Sequence, residues 1–185
     1  YEMTSSLVGS EMCIRDSQVV VDVKPIYGEV LYKSKILPPL TTVNGKVIHR
    51  DWDYLQYFIS EARRLGLKVT VSTAMFPSGH PATREGLVYD EPRWDGKTCL
   101  EYTPGGKMLD IREDKKKVGA FLNPVRKDVR KFALSIVREI VKNYDVDAYA
   151  LDYCRYPGDD SDFSIDSQKA LSLIHISEPT RLDVI

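Results

Sequence analysis

Cysteine, histidine and charge of one sign are scarce in this chain of 185 residues. The chain has three cysteines and three histidines, and neither type occurs at the spacing of a zinc site or in the number that a disulfide framework needs. Its formal net charge is −1, which argues against the basic surface of a nucleic-acid-binding protein. No apolar run is long enough to cross a membrane. These absences predict no metal site, no nucleic-acid partner and no membrane span.

Glycine-rich loops of the kind that bind phosphate groups are missing as well. The first strand-like stretch runs instead into Asp22-Val23-Lys24-Pro25. This turn lacks the glycines that would let a backbone cradle a dinucleotide or a nucleoside triphosphate. The sequence therefore predicts no cofactor.

Both ends of the chain have an unusual origin. Residues 11–17 are encoded by the DNA string GAGATGTGTATAAGAGACAG, and residues 171–177 are encoded by its reverse complement. That string is the end of a transposon that is used to prepare sequencing libraries. We therefore expect residues 1–17 and 171–185 to be adapter-derived and non-native, and residues 18–170 to be a native fragment that is cut at both ends.

Periodicity predicts alternating strands and helices in the native part. Side chains that alternate in character predict strands over 18–24, over 67–73 and near 145–152. Apolar residues at helical spacing predict helices over 51–65 and from 123 to about 141. Because a strand–helix–strand order normally connects parallel strands with a right-handed crossover, the chain is predicted to have an α/β fold with a parallel sheet.

Turn and cap residues place the ends of these elements. Asp51 is predicted as the N-cap of the first helix, and Gly66 as its C′ residue, just beyond the helix end. Asn123, followed by Pro124, is predicted to cap the second helix. Asn44-Gly45 predicts a tight hairpin turn.

A long connection over residues 77–119 separates the second strand from the second helix. A hairpin is predicted around Pro104-Gly105-Gly106. The charged run over 112–117 is predicted to be a solvated turn. Connections of this length are usually either functional or disordered, so the segment could carry part of a site.

The third strand carries the most information about function. One face has small residues and then a carboxylate, and the other has bulky residues: Ala148, Ala150 and Asp152 against Tyr149, Leu151 and Tyr153. A buried strand of a β/α barrel has this pattern, with helices outside and a functional group inside at the carboxyl end. The pattern favours a (β/α)8 barrel over an open doubly wound sheet.

Several motifs occur in order along 18–170: Val-Val-Val-Asp-Val-Lys-Pro at 19–25, Glu-Ala-Arg-Arg-Leu-Gly-Leu-Lys-Val at 61–69, Leu-Asn-Pro at 122–124 and Leu-Asp-Tyr-Cys-Arg-Tyr-Pro at 151–157. As an ordered set they resemble the glycosyl-hydrolase-like 10 family, relatives of the α-amylase type of (β/α)8 barrel. The resemblance implies a partial TIM barrel comprising about strands 2–4 and their helices. Where the family usually has glycine near the start of the fourth strand, this chain has Ala148, which still fits a crowded interior.

The same resemblance implies a function for the parent protein. It suggests a glycoside hydrolase that cleaves a polysaccharide or cell-envelope glycan, and a secreted or cell-envelope location. It places Asp152 where amylase-like barrels carry a nucleophilic aspartate. Glycoside cleavage needs two carboxylates that flank the bond, and the acid/base carboxylate is expected on a later strand, so the fragment alone is expected to be inactive.

Other residues are candidates for contact with a carbohydrate substrate. Asp22 and Lys24, at the end of the first strand, are expected to share its inward face through alternation. There they could bind substrate, position Asp152, or form an internal ion pair. His80 lies in the long connection, where substrate contacts are common. Arg155 could hold Asp152 ionised or bind sugar hydroxyls, and Tyr156 could stack on a sugar ring.

Alternative interpretations remain open at this point. Asp152 could be a structural aspartate paired with Arg155. Trp94 and Tyr102 could stack on sugars or simply cover the barrel mouth. The whole protein could be a non-catalytic carbohydrate-binding or envelope-associated barrel, or a barrel enzyme that uses Lys24 to form a Schiff base. The sequence leaves the oligomeric state undetermined.

Overall fold

The computed structural model describes residues 17–43, 46–47 and 51–177. Its elements are, in chain order, β1 (Gln18–Lys24), β2 (Thr42–Val43), β3 (Lys46–Val47), α1 (Tyr54–Arg64), β4 (Lys68–Ala74), α2 (Leu87–Asp90), β5 (Leu100–Tyr102), β6 (Met108–Asp110), α3 (Lys127–Asn143), β7 (Ala148–Asp152) and α4 (Ile165–Ser177). Two short 3₁₀ helices, Pro92–Trp94 and Ile111–Glu113, lie in the long connection.

The central sheet has the strand order β1-β4-β7, and both of its strand pairs are parallel. The predicted α/β fold with a parallel sheet is therefore confirmed. The register places Asp22 opposite Ser72, and Ala74 opposite Asp152. The carboxyl ends of the three strands thus meet along one edge of the sheet.

Helices α1 and α3 cover the sheet through their apolar faces. Leu55 and Ile59 of α1 and Ile136 of α3 join Val69 and Val71 of β4 in one buried cluster. Burial of such side chains stabilises the fold by about 1.5–3 kcal/mol each. The core therefore lies between the sheet and these helices, which leaves the carboxyl edge available for a site.

Strand β7 is an edge strand, and this corrects the prediction that it is buried. No residue of β7 is buried, and Leu151 is 51% exposed. The physical reason is that only β4 pairs with β7 among the described residues. Strand β1 likewise has one described partner, and its Val20 is 63% exposed.

Both long helices begin later than predicted. Helix α1 is capped by Asp53 rather than Asp51, because the Asp53 carboxylate accepts the Gln56 N–H at 3.2 Å. Its other end is as predicted: Gly66 has φ +73° and donates its N–H to the Arg63 carbonyl oxygen at 3.0 Å.

Asn123 does not cap α3, which begins at Lys127 with Arg126 as its cap residue. The Asn123 side chain is buried and is used elsewhere. Its oxygen accepts the Val125 N–H at 3.0 Å, and its nitrogen donates to Asp162 at 2.5 Å. These bonds hold residues 123–126 in a turn before the helix starts.

The long connection is ordered by a hairpin and by ion pairs. Strands β5 and β6 pair antiparallel, which confirms the hairpin predicted around residues 104–106. The charged run is not simply solvated, since Arg112 pairs with Asp110 at 3.0 Å and Lys117 pairs with the buried Glu101 at 2.8 Å.

A second hairpin is formed by β2 and β3, which pair antiparallel. Its predicted turn at Asn44-Gly45 lies outside the described residues. Helix α4 crosses residue 170, where the native part is predicted to end. The adapter origin of both termini stays a prediction. No helix in the described ranges is both long and apolar enough to span a membrane.

Candidate functional site at the carboxyl edge of the sheet

Asp152 is the last residue of β7, and its carboxylate faces solvent at the carboxyl edge. Its backbone carbonyl accepts the Met75 N–H at 2.8 Å, which ties the strand end to β4. The Tyr153 N–H donates to Asp152 Oδ1 at 2.8 Å. No ion pair to Asp152 occurs among the described residues, Arg155 included. The side chain is therefore held by a backbone hydrogen bond and forms no ion pair among the described residues.

Asp22 lies two strands away at the same edge. Its Oδ1 accepts the Lys24 N–H at 3.3 Å. Partial burial raises the pKa of Asp22, and the negative charge of Asp152 adds to this shift, while the Lys24 N–H and the Lys24 charge act against it. The carboxylates of Asp22 and Asp152 thus lie at the carboxyl edge on either side of β4, and the charge of Asp152 acts on Asp22.

Lys24 lies beneath this edge rather than on it. The register of β1 shifts between Asp22 and Lys24, so Lys24 comes opposite Thr73 and its side chain has 0% exposure. This corrects the expectation that Asp22 and Lys24 share one face through strict alternation. Lys24 Nζ donates to the Ala74 carbonyl oxygen at 2.5 Å and to that of Pro77 at 2.9 Å.

The setting of the Lys24 amine has chemical consequences. Burial lowers the pKa of Lys24 to about 7, and the charge of Asp22 opposes this shift. An enclosed amine that bonds two carbonyl oxygens is not open to a carbonyl substrate, so the geometry does not support a Schiff base at Lys24. It supports a role in fixing the end of β4, which pairs with Asp152 through Ala74.

Two further polar side chains join β4 and β7 below the edge. Thr73 Oγ1 and the Tyr149 hydroxyl are hydrogen-bonded at 2.9 Å. Burial raises the pKa of Tyr149 to about 12, so the phenol stays neutral. Sequence reasoning missed both residues. Thr73 could have been found as a polar residue near the carboxyl end of a predicted strand, as Asp152 was.

His80 lies in the connection after β4, and no contact among the described residues joins it to Asp152. Its ring stacks on Tyr27 with centroids 5.7 Å apart. Its Nδ1 is buried and has no hydrogen-bond partner in the described structure, and the same is true of Ser78 Oγ. His80 is thus placed against the loop that follows β1, apart from the two carboxylates.

Arg155 and Tyr156 lie in the loop after Asp152. The Arg155 guanidinium sits 5.3 Å from the centre of the Tyr153 ring and donates to the carbonyl oxygens of Tyr156, at 2.9 Å, and Pro157, at 3.3 Å. Tyr156 is 36% exposed, and burial of the remainder raises the pKa of its phenol. Of the predicted residues, Arg155 and Tyr156 therefore share a loop with Asp152.

The aromatic residues of the long connection are placed differently from one another. Trp94 is 4% exposed and packs on Phe132 with ring centroids 4.5 Å apart, so it belongs to the core and cannot stack on a sugar. Tyr102 is exposed and lies edge-on to Phe163. Trp94 is thus removed as a possible sugar platform.

The opposite edge of the sheet is structural. Arg63 donates to Asp147 at 2.7 Å and lies 3.5 Å from Asp145. The Asp147 carboxylate also accepts the Val69 N–H at 2.7 Å, and this bond, together with Arg63, lowers the pKa of Asp147. These contacts give Asp145 and Asp147 a structural role at the amino ends of the strands.

The described residues contain no group of three or more His, Cys, Asp or Glu side chains arranged to hold a metal ion. One cleft on the described surface is lined by the loop after β1 and by Trp52. Two others lie along α4, and one of these also includes residues before and within α3. None of these clefts includes Asp152, which lies on an open edge. Chemically, this edge offers a carboxylate that could act as a nucleophile or steady a cationic centre, with a second carboxylate nearby.

A family model described as glycosyl hydrolase-like 10 matches residues 14–169. An S-layer-related protein of Niallia circulans is 35% identical over 155 residues, which cover 80% of this chain and 10% of that protein. The chain therefore spans about a tenth of the length of this relative.

Two solved structures have a similar fold. The alpha-L-fucosidase isoenzyme 2 of Paenibacillus thiaminolyticus has a TM-score of 0.58 at 18% identity, over 86% of this chain and 21% of that one. A hypothetical protein of Ruminiclostridium thermocellum has a TM-score of 0.52 at 17% identity, over 90% of this chain and 80% of that one. At these identities the likeness concerns the fold.

Proposed function

The chain belongs to the glycosyl hydrolase-like 10 family, and from this premise we propose that its parent protein is a glycoside hydrolase with Asp152 as the nucleophile. The observation that carries the proposal is the state of the Asp152 carboxylate. It is exposed at the carboxyl end of a parallel strand, it is free of any described cation, and a backbone N–H orients it. Carboxyl ends of parallel strands are where barrel enzymes place their catalytic groups.

We also propose that the described sheet is part of a (β/α)8 barrel. Both outer strands of the sheet have an open side, and apolar residues on them are exposed, as Val20 and Leu151 illustrate. Open edges of this kind are a liability that further strands would remove. The fucosidase whose fold is similar supports this proposal. The acid/base carboxylate would then come from a strand beyond the three described here.

The other residues take roles that follow from their positions. Asp22 would bind substrate or set the charge at Asp152, to which it is electrostatically linked. Lys24 would position the end of β4 through its two carbonyl contacts. Arg155 and Tyr156 would contact a carbohydrate substrate from the loop after β7. His80, which is half-buried, would do so from the loop after β4.

The substrate class is a glycan of the cell envelope. The relative named an S-layer-related protein supports an envelope location. The same name favours a second candidate function, which is a non-catalytic barrel that binds envelope carbohydrate. The two candidates differ in one respect: only the hydrolase requires the Asp152 carboxylate for bond cleavage.

The test is carried out in the longer parent protein, with Asp152→Asn as the variant and Asp145→Asn as the matched control. Asp145 lies just before β7, at the end of the strand opposite to Asp152, and its side chain is 87% exposed. Activity on a panel of 4-nitrophenyl glycosides, including the α-L-fucoside, is measured as released 4-nitrophenol. Activity on purified cell-wall polysaccharide is measured as new reducing ends.

The hydrolase predicts that Asp152→Asn lowers activity by about 10³-fold or more, since a nucleophile is lost, while Asp145→Asn stays within about twofold of the parent. If the parent cleaves a glycan and Asp152→Asn cleaves it equally well, Asp152 is not the nucleophile. If the parent cleaves nothing but retains polysaccharide in a pull-down assay, the binding barrel replaces the hydrolase.

A further inference from the structure

Tyr153, the residue after Asp152, has a backbone conformation that bulky residues rarely adopt. Its φ is +47°, in the left-handed region where the Cβ atom crowds the following carbonyl oxygen. Arg84 is the one other non-glycine residue with positive φ in the described ranges. Such a conformation persists only where surrounding contacts impose it, and it is concentrated at functional sites.

The backbone of Tyr153 is in direct contact with Asp152. The Tyr153 N–H donates to Asp152 Oδ1 at 2.8 Å. This N–H belongs to the peptide unit between the two residues, so contacts that fix the position of Tyr153 also fix the donor. The strained residue and the proposed nucleophile are therefore joined by a single backbone hydrogen bond.

The Tyr153 ring is held by two contacts. It lies edge-on to Phe121, with centroids 5.8 Å apart and planes at 74°, and the Arg155 guanidinium is 5.3 Å from its centre. The position of Phe121 is itself fixed, because its side chain is fully buried and its carbonyl oxygen accepts the Cys99 N–H at 2.9 Å. The ring is thus attached to a residue that lies between the long connection and α3 in sequence.

We propose that Tyr153 is a positioning residue: its ring, anchored on Phe121 and covered by Arg155, holds in place the peptide unit whose N–H donates to the Asp152 carboxylate. This inference rests on the proposed role of Asp152. A carboxylate whose orientation is fixed before substrate arrives loses less freedom on reaching the transition state. Tyr153 acts through Asp152 and does not itself touch the reacting atoms.

The first experiment needs no substrate. Carboxylates of the parent protein are labelled with a water-soluble carbodiimide and glycine ethyl ester, and the rate at each aspartate is followed by mass spectrometry. A hydrogen bond to a carboxylate makes it a weaker nucleophile toward the carbodiimide. Tyr153→Phe, Tyr153→Ala and Tyr153→Gly are compared, with Asp159 as the internal control. Asp159 is exposed in the same loop and accepts no hydrogen bond from the described residues.

Loss of the ring is expected to raise the labelling rate of Asp152 by about tenfold in Tyr153→Ala, which corresponds to one hydrogen bond to a charged group. Tyr153→Gly adopts the left-handed turn without strain but lacks the anchoring ring, so the labelling rate of Asp152 is expected to rise in this variant as well. Tyr153→Phe keeps the ring and is expected to match the parent. Unchanged labelling of Asp152 in Tyr153→Ala and Tyr153→Gly would overturn the proposal. So would an equal rise at Asp159, since the ring would then hold the whole loop and not the carboxylate.

The second experiment measures kinetics on any glycoside that the parent cleaves. Tyr153→Ala is expected to lower kcat by about tenfold, with KM within about twofold. Tyr153→Phe restores the parent values. A rise in KM with unchanged kcat would overturn the positioning role. A parent without glycosidase activity would refute the hydrolase alone, because the labelling result stands or falls independently.

Discussion

Replacing Lys24 by methionine tests the burial of a charged amine beneath the site. Lys24 has 0% exposure, and burial lowers its pKa from 10.5 to about 7. Between these two values the unfolded chain holds a proton that the folded chain has released. Stability therefore rises with pH through this window. Below about pH 7 both states carry the charge, so Lys24 contributes no further change of stability with pH.

The size of the effect follows from the two pKa values. With a folded pKa of about 7 and an unfolded pKa of 10.5, raising the pH from about 7 to about 9 stabilises the fold by about 2 kcal/mol. Lys24→Met removes this titration. The variant also leaves the carbonyl oxygens of Ala74 and Pro77 without a donor, at about 1–3 kcal/mol for each unpaired group.

The assay is urea unfolding of the chain, followed by circular dichroism at several pH values between about 7 and 9. The stability difference between parent and Lys24→Met is expected to grow by about 2 kcal/mol across this range. Lys68→Met, which removes an exposed lysine at the start of the neighbouring strand β4, is the control and is expected to retain the rise in stability with pH that Lys24 gives the parent. A difference that stays constant with pH would refute the account of a buried, easily deprotonated amine.

Two further predictions concern backbone and thiol environments. Gly86→Ala is expected to destabilise the fold by about 2 kcal/mol or more, because Gly86 has φ +105° and an added Cβ would lie 2.5 Å from the Tyr27 carbonyl oxygen. Gly105→Ala, whose Cβ would meet only Thr103 Oγ1 at 3.9 Å, is expected to change stability by less than about 0.5 kcal/mol; equal melting temperatures for both variants would contradict this. In native protein treated with Ellman's reagent and mapped by mass spectrometry, exposed Cys154 is expected to react. Cys99 is buried and is expected to react only after unfolding. Its burial raises the pKa of its thiol, and the charges of Asp162, Glu101 and Asp110 raise it further. Reaction of Cys99 in the folded state would show that the core around β5 is open.

The strands could be predicted because their side chains alternate. The bounds of β1 were predicted without error, and β4 begins and ends one residue later than predicted. The helix starts were less predictable, since several polar residues near each start could serve as the cap. Asp53 caps α1 because its carboxylate accepts the Gln56 N–H. Asn123 does not cap α3, and its side chain instead bonds Asp162, which lies 39 residues away.

The candidate site was only partly accessible to sequence reasoning. Asp152 could be placed at a strand end, but the register shift that buries Lys24 has no signature in an alternating pattern. The left-handed turn at Tyr153 was equally hidden, because the Tyr153 ring packs on Phe121, which lies in a distant part of the chain. Trp94 was ambiguous, since an aromatic residue suits both a core and a sugar platform. Features set by long-range contacts were therefore the ones that required the structure.

Covalent trapping tests the central claim most directly. The parent protein is incubated with an activated 2-deoxy-2-fluoro glycoside of whichever sugar it releases, digested, and analysed by tandem mass spectrometry. A nucleophilic Asp152 predicts a fluoroglycosyl adduct on the peptide that contains residues 149–157, and its absence in Asp152→Asn. An adduct on a different carboxylate, or turnover without any adduct, would contradict the assignment of Asp152 as the nucleophile.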